Sequence, residues 1–527
     1  MPRRPGLRAR QALPVALLAT LLAGGVAPAS ASAAPKRVYQ PGDASTCSVN
    51  PKLAKHSMRA MWIASVSNLN WPSRAGLSPK QSQAELIGLL ELAKRNGHNA
   101  VVLQVRPTAD TFWPSKREPW SHWLTGTQGR NPGWDPMAFA VQQAHQRGLE
   151  LHAWVNPYRV AQDATGKKLS ASHPARKHKD WTVSYGGKLY YNPGLPQVRK
   201  HVVDTITEMV AKYDVDAVHF DDYFYPYPVS GKSFNDSATY ARYGKSMGLA
   251  AWRRSNINLL ISDTRKAIQR TRPGTQLGVS PFAVWRNAQT DSRGSATTAG
   301  VETYDDLYAD TRTWLRAGMV DYLVPQVYWS RSLKAARYGT VTQWWADLAR
   351  QSPRSNVYLG EASYKVGAPG DKAWRNSREL VSHLELVSKQ RDARGRAVLQ
   401  GHMFFDASSV RANKLDAHRI VAREWYGKPA LTPRTPWLDS RAPAAPSVKR
   451  VGNDLRIQAP GATQLVIYRV VKPGRVNGCD LADTRFVAAV VNNTGRWTIP
   501  AAQRGNAAWL VSAVDRGSNE SAVTLVR

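Results

Sequence analysis

DVDAVHFDDYFYPYP, spanning Asp214–Pro228, reads as a buried strand that ends in two adjacent carboxylates and runs into an aromatic, proline-stiffened loop. In α/β folds, chemistry gathers at the C-terminal ends of parallel strands. Asp221 and Asp222 stand at such an end. Neighbouring carboxylates repel unless a partner neutralises them or a reaction uses them. The tyrosines and tryptophans around the pair suit a sugar-binding surface.

The same alternation repeats on both sides of that stretch. RAMWIASV (59–66), NAVVLQV (99–105), ELHAWVN (150–156) and AVHFDD (217–222) read as strands. So do QLGVSPF (276–282), YLVPQVYW (322–329), NVYLGEASY (356–364) and GHMFFDA (401–407). Between them lie helical patterns such as QSQAELIGLLELAKRNG (81–97), with apolar residues three and four apart. Gly97 and Gly148 fall just past helix ends, where glycine terminates helices well. This α/β pattern predicts a (β/α)8 TIM barrel over residues 58–428. The alternative is a doubly wound open sheet, which no glycine-rich phosphate loop supports.

PALTPRTPWLDSRAPAAP (429–446) is proline-rich and reads as a linker. Beyond it the helical period stops. DLRIQAP, TQLVIYRVV, FVAAVV, AAWLVSAVD and SAVTLV are short alternating strands, which predict a small β-sandwich of the fibronectin type III kind over 447–527. At the other end, MPRRPGLRAR, the apolar run Ala12–Val26 and Ala31-Ser32-Ala33 have the order of a secretory signal peptide over residues 1–33. The apolar run is too short to span a bilayer, so a secreted chain without a membrane span is expected, with 34–57 as an N-terminal extension.

The charge is extreme: 72 Lys and Arg against 38 Asp and Glu, a net +34. The basic residues are scattered rather than gathered into a tract. For an exported chain this favours attraction to anionic cell-wall polymers over nucleic acid. Export also permits a disulfide between the two cysteines, Cys47 and Cys479.

The predicted strand ends collect a mixed set of side chains. After the second strand, QVRPTADTFWPSKREPWSHWLTG carries Arg106, Asp110, Glu118 and several aromatics. NPYR supplies Asn156, Tyr158 and Arg159 after the third. The fourth brings Asp221, Asp222 and Tyr223, with His219 two residues earlier on the face of Asp221 and placed to hold it by a hydrogen bond. The fifth leads to Trp285, Arg286 and Asn287, the sixth to Gln326, Tyr328 and Trp329, and the eighth to Asp406. Asp216, Asp305 and Asp306 read as structural, and Glu361 inside the seventh strand needs a buried partner.

Glycoside hydrolysis asks for this mixture: one carboxylic acid to protonate the leaving oxygen and one carboxylate at the anomeric carbon. Aromatic faces then pack on sugar rings, while Asn, Gln and Arg bond hydroxyls. Asp221 or Asp222 is expected as nucleophile or base. Glu118 is expected as the general acid, its pKa raised by Trp113, Trp120 and Trp123. No cofactor or metal is expected: HExxH, paired histidines at i and i+4 and a P-loop are missing from the sequence.

RAMWIASVSNLNWPS, LQVRPTADTFWPSKREPWSHWLTG, DPMAFAVQQAHQRGLELHAWVNPYR, VHFDDYFYPYP, WRN and YDDLYADTRTWLRAGMVDYLVPQVYW occur in that order. Together they resemble the glycosyl-hydrolase-like 10 family of bacterial envelope proteins, over roughly Met58 to Tyr426. The resemblance implies a (β/α)8 glycosidase fold, export, and β-1,4-linked amino-sugar strands of peptidoglycan as substrate. It implies site positions at Arg106, Glu118, Asn156, Arg159, Asp221, Asp222, Arg286, Gln326 and Tyr328, with arginines near the site binding the lactyl carboxylate of a muramic acid unit. FDD is also similar to the Asp pair of polysaccharide deacetylases, the alternative enzyme; a non-catalytic wall-binding barrel is the other alternative. DVDAVHFDDYF resembles the chitinase strand DxxDxDxE as well, but Tyr223 replaces its terminal acid, which argues against substrate-assisted chitinase chemistry.

Overall fold

The computed structural model describes residues 38–526, apart from 44, 245 and 472–475. The signal peptide expected over 1–33 lies outside the described residues. Each strand of the large sheet is parallel to its neighbours: β1 (Met58–Ile63), β2 (Ala100–Arg106), β3 (Glu150–Val155), β4 (Ala217–Phe220), β5 (Gln276–Val279), β6 (Tyr322–Leu323), β7 (Asn356–Val357 and Leu359–Ala362) and β8 (Gly401–Phe405). The sheet has nine strand segments, of which two are parted only by Tyr358, whose N–H still donates to Leu323 O at 2.9 Å. Eight strands therefore form the ring. It closes where β8 pairs with β1, Gly401 opposite Met58.

A helix follows each strand: α1 (Pro79–Arg95), α2 (Pro136–Gln146), α3 (Pro196–Lys212), α4 (Leu249–Thr271), α5 (Thr311–Arg316), α6 (Tyr338–Arg350), α7 (Glu379–Ser388) and α8 (Ala417–Glu424). Local chemistry starts them. Ser78 and Gln81 make a reciprocal capping box with Pro79 at the first helical position, and the Asp135 side chain accepts from Ala138 N ahead of Pro136. The strands bury both faces. One face packs on the helices in a large apolar layer that includes Leu86, Val101, Ile206 and Leu277. The other fills the barrel with Met58, Trp62, Val102, Trp154, Tyr322, Tyr358 and Met403. Gly278 is required inside: a Cβ there would lie 1.9 Å from the Tyr322 ring.

The C-terminal residues form two antiparallel sheets. One holds β9 (Ser447–Val451), β10 (Asp454–Gln458) and β13 (Arg496–Thr498). The other holds β11 (Gln464–Val470), β12 (Val487–Asn492), β14 (Ala508–Val514) and β15 (Val523–Val526), with the short strand Val38–Tyr39 added beside β15. The sandwich sits against the N-terminal ends of the barrel strands. Arg516 pairs with Asp214 and donates to Val215 O just before β4, and Asn492 donates to His145 O just before β3.

The proline-rich stretch 429–446 is packed rather than a free tether. Leu431 N donates to Lys55 O at 2.8 Å, Thr432 Oγ1 donates to Glu150 at 2.6 Å, and Trp437 Nε1 donates to Asp321 at 2.9 Å. Cys47 and Cys479 are joined by a disulfide with a Cα–Cα distance of 5.3 Å. Nearby, Lys55 and Glu520 form a buried ion pair at 2.8 Å. Among the described residues no helix is long and apolar enough to cross a membrane.

Candidate active site

The C-terminal face of the barrel carries the aspartate pair. Asp221 and Asp222 directly follow β4 and are 9% and 5% exposed. Asp221 is held from three directions: Asp222 N donates to Oδ1 at 2.9 Å, Gln326 Nε2 to Oδ1 at 3.3 Å and Asn156 Nδ2 to Oδ2 at 3.4 Å. Gln326 reaches it because its backbone bridges Phe282 and Gly360 past the end of β6. Asn156 is aimed by Gln104, which donates to its Oδ1 at 2.6 Å.

Asp222 is provided for differently. Tyr227 donates a short hydrogen bond to its Oδ2, while Oδ1 is buried without a partner. Burial pushes its pKa well above the ordinary 3.8, the Asp221 charge adds to the rise, and the Tyr227 bond opposes it. The two carboxyls of adjacent residues thus have different surroundings. Asp221 accepts from three donors; burial favours the protonated form of Asp222.

An arc of half-exposed aromatic rings surrounds the pair. Tyr223, Tyr227, Phe282 and Trp329 meet edge to face at 5.4–6.4 Å between centroids. Tyr328, Tyr364 and Phe405 form a second group at 5.9–6.2 Å, with Tyr364 45% exposed. Tyr227, Phe282 and Tyr364 were not singled out from sequence. Tyr227 was within reach, since it lies five residues after Asp222 in the loop that turns back over the pair.

Several expected site residues lie elsewhere. Glu118 is fully buried in a fork with Arg106, at 2.7 Å from Nε and 2.5 Å from Nη2, and His201 Nε2 is 2.9 Å away. Burial alone would raise its pKa; the Arg106 charge and the His201 and Arg106 hydrogen bonds outweigh burial and hold it far below the carboxylate range. It is a permanent anion and does not serve as a general acid. Arg106 spends its remaining donor on the carbonyls of Asn156 and Pro157, and so it braces the β2 and β3 ends instead of touching substrate.

Tyr158 is buried among the apolar side chains between barrel and helices. Trp285 is also buried, stacked on Trp344 with its Nε1 donating to Asp310 at 3.2 Å. Arg286 is committed to Asp305, at 2.6 Å from both its Nε and its Nη2, and to Asp291 at 3.1 Å. His219 does not hold Asp221. It lies inside the barrel, with Nε2 2.9 Å from Ser280 Oγ and Nδ1 3.0 Å from Tyr322 OH.

The remaining acids also have structural partners. Asp110 accepts from Gln128 at 3.1 Å, Glu302 receives Asn287 N at 3.0 Å, and Asp406 caps the turn at Ser409. Glu361 faces the helices, bonded by Tyr338 OH at 2.6 Å and by His383 and His402 at 2.8 Å, with its pKa pulled down to about 2 chiefly by His383 against the effect of burial. Among the described residues no group of three or more His, Cys, Asp or Glu side chains is placed to hold a metal ion.

The His219 ring sits in a chain of fixed direction. Trp62 Nε1 can only donate, and it points at His219 Nε2 from 3.3 Å. Burial pushes the ring's pKa well down, so it is neutral and carries its proton on Nδ1. That proton goes to Tyr322 O, whose own proton goes to His152 Nδ1 at 2.8 Å, and His152 Nε2 faces Glu150 at 2.9 Å. These polar groups cross the barrel interior with their partners satisfied, giving the floor beneath Asp221 a fixed shape.

A closed (β/α)8 barrel whose strand ends present a carboxyl pair framed by aromatic rings is a scaffold of the glycoside hydrolase type. The profile of the glycosyl hydrolase-like 10 family matches residues 57–376, and the chain belongs to that family. It is 45% identical over 400 residues to glycosyl hydrolase YngK of Bacillus subtilis (strain 168), covering 75% of this chain and 77% of that one. It is 40% identical over 355 residues to glycosyl hydrolase DigH of Escherichia coli (strain K12), covering 64% of this chain and 80% of that one. Among solved structures, the PgaB (BpsB) glycoside hydrolase domain from Bordetella bronchiseptica aligns with a TM-score of 0.45 at 14% identity, over 70% of this chain and 99% of that one.

Proposed function

We propose that this protein is a secreted glycosidase that cleaves bacterial cell-wall glycan, the β-1,4-linked amino-sugar strands of peptidoglycan. The observation that carries this reading is the unequal setting of the pair at the mouth of the barrel: Asp221 accepts three protein hydrogen bonds, while Asp222 is buried beside it with one oxygen unpartnered, which favours its protonated form. Asp222 delivers its proton to the glycosidic oxygen as the bond breaks, and Asp221 stabilises the positive charge that develops at the anomeric carbon; a water molecule then bonds to that carbon and gives a proton back to the Asp222 carboxylate. Asn156 and Gln326 position Asp221, and the aromatic arc supplies faces for sugar rings. The net charge of +34 favours retention on anionic wall polymers. We read the sandwich as fibronectin type III-like from its two antiparallel sheets. Its place on the N-terminal face of the barrel keeps it clear of the pair.

Incubation with purified peptidoglycan, with and without stem peptides, tests the proposal by release of reducing sugar ends. No release from any glycan, while Asp221→Asn and Asp222→Asn variants bind wall material as well as the parent does, would make the protein a non-catalytic binder.

Tyr227→Phe removes the side-chain hydrogen bond that holds the Asp222 pKa down. The acid then keeps its proton to higher pH. The alkaline limb of the kcat/KM profile is expected to move up by roughly half to one pH unit, the range of a single hydrogen bond to a carboxylate. A limb that stays in place would mean that Asp222 is not the titrating acid.

A further inference from the structure

The last turn of α1 ends in Lys94 and Arg95, and α8 carries Arg419 and Arg423 four residues apart, on one helix face. The fold brings these four cations into the wall of a cavity of about 470 Å³, which the proline-rich stretch and Gln464 and Val490 of the sandwich complete. This cavity lies at the base of the barrel. Asn99 and Gly148 in its wall stand just before β2 and β3, at the opposite end of the strands from Asp221 and Asp222. Arg159 belongs to that other end: its guanidinium lies 4.4 Å from the ring centroid of Tyr223, the residue after Asp222.

Among the described residues, no acidic side chain lines the cavity. Neither Lys94 nor Arg95 pairs with a carboxylate there; Glu91, on the same helix, pairs with Arg147 at 2.7 Å. Two carboxylates reach the arginines, Asp416 at 3.1 Å from Arg419 and Glu424 at 3.6 Å from Arg423. Glu424 is already gripped by Arg378, at 2.8 Å to each of its oxygens. Arg59 adds a fifth positive charge. It is 2% exposed, with no carboxylate partner among the described residues and its Nε buried without a hydrogen bond. Its guanidinium lies 4.5 Å from the ring centroid of Tyr426, which belongs to the cavity wall. Burial pushes the Arg59 pKa down to about 10, and it depresses Lys94 against the pull of Glu91. Positive charges gathered without anions of their own repel one another and attract an anion that enters among them.

Arginine matches a phosphate group through paired N–H donors, and lysine meets it as a point charge. The cavity is larger than one small anion needs and falls in the range of molecular binding sites, about 300–1,000 Å³. The two rings of its wall, His98 and Tyr426, are 4% and 6% exposed, so no aromatic face is open for a base or a sugar to stack on. These walls suit a flexible ligand with closely spaced negative charges and no rings.

We propose that this cavity binds phosphate esters of polyols, presented by a polyol-phosphate polymer of the cell wall or as the free monomer. A polymer held there leaves the aspartate pair open at the far end of the barrel. The wall as its source rests on the reading of the protein as a secreted wall enzyme. The binding itself needs no glycan cleavage, so the two fail separately.

Calorimetric titration of the protein with poly(glycerol phosphate) tests the site. Arg419→Gln with Arg423→Gln, and Lys94→Gln with Arg95→Gln, change exposed positions. Each pair is expected to weaken binding about 10–100-fold, the range of hydrogen bonds to charged groups, and to lower the slope of log K against log salt by about 1–2. Lys266→Gln with Arg270→Gln, at exposed positions of α4, makes the same change in net charge away from the cavity. Screening by salt is expected to hold its effect to about twofold or less. Gln464→Glu keeps every cation but puts a carboxylate into the wall from the sandwich, and it is expected to weaken binding as the paired variants do. Equal losses in the cavity and α4 variants, or undiminished binding by Gln464→Glu, overturn the site. Glycerol 3-phosphate is the second probe: equal affinity per phosphate assigns the free ester, and weaker binding of the monomer assigns the polymer. Single-stranded DNA with as many phosphates is the third, and tighter binding of it than of poly(glycerol phosphate) overturns the proposal in favour of nucleic acid. Cleavage of soluble glycan is expected to be the same in the parent and the cavity variants; a parallel loss of binding and cleavage would place the polymer at the aspartate pair instead. If the parent cleaves no glycan, the glycosidase reading fails by itself and the titrations still decide the cavity.

Discussion

On the proposed glycan substrate, Asp222→Asn is expected to lower kcat/KM by about 10²–10⁴-fold, the usual contribution of a positioned general acid, while raising the thermal stability of the protein at neutral pH. Both effects come from one proton. Asparagine copies the shape and charge of a protonated carboxyl but has no proton to give to a leaving oxygen. The stability effect follows from linkage. The folded-state pKa of Asp222 is raised above the ordinary 3.8, so the folded form binds a proton that the unfolded chain has released. The stability associated with that proton is complete below the unfolded pKa and is lost as pH rises toward and through the folded pKa. Asparagine is indifferent to pH, so its advantage grows over the same interval. Melting curves of parent and variant from pH 4 upward check the sign, and kinetics on the same samples check the loss. A variant that melts earlier than its parent at pH 7 would show that the Asp222 anion, not its proton, is the native form.

Glu118→Gln has the opposite character: a large cost in stability that precedes any question of chemistry. The carboxylate is buried with Arg106 and His201, and removing one partner of a buried pair leaves an uncompensated charge, at a cost of about 3–5 kcal/mol. Its folded pKa lies below the ordinary 4.5, so the stability it contributes is present above that value and is lost as pH falls. The parent is therefore expected to lose stability progressively below about pH 5, while the variant, already weakened, shows a flatter acid limb. Denaturant titrations at pH 4 and pH 7 measure both. If Glu118 were the general acid, the variant would keep the parent's stability and lose only turnover.

These two carboxyl positions show what the sequence revealed and what it did not. The barrel was readable because parallel strands covered on both faces appear as unbroken apolar runs, and eight such runs alternate with helical periods. The pair at Asp221 and Asp222 was readable for a related reason: it sits where one of those runs stops. Glu118 was misread because its neighbours in the chain are tryptophans, which point to burial and a raised pKa. Its deciding neighbours are Arg106, twelve residues earlier, and His201 on α3, and only folding brings them close. The same limit applies to Arg286, whose partners Asp305 and Asp291 lie on later turns of the chain, and to Tyr158, whose place depended on which way one residue after β3 turned. Periodicity along a chain carries burial; it does not carry partnership across space.

The staple between the two ends of the chain bears on how this protein is made. Val38–Tyr39 has its place beside Val523–Val526, and Cys47 is bonded to Cys479, 432 positions later. A ribosome releases the first of these partners long before the last. The barrel can assemble from neighbouring β/α units as they emerge, whereas the early strand and Cys47 must wait until Cys479 and Val523–Val526 have been made. Removal of Val523–Val526 takes away the strand beside which Val38–Tyr39 is placed.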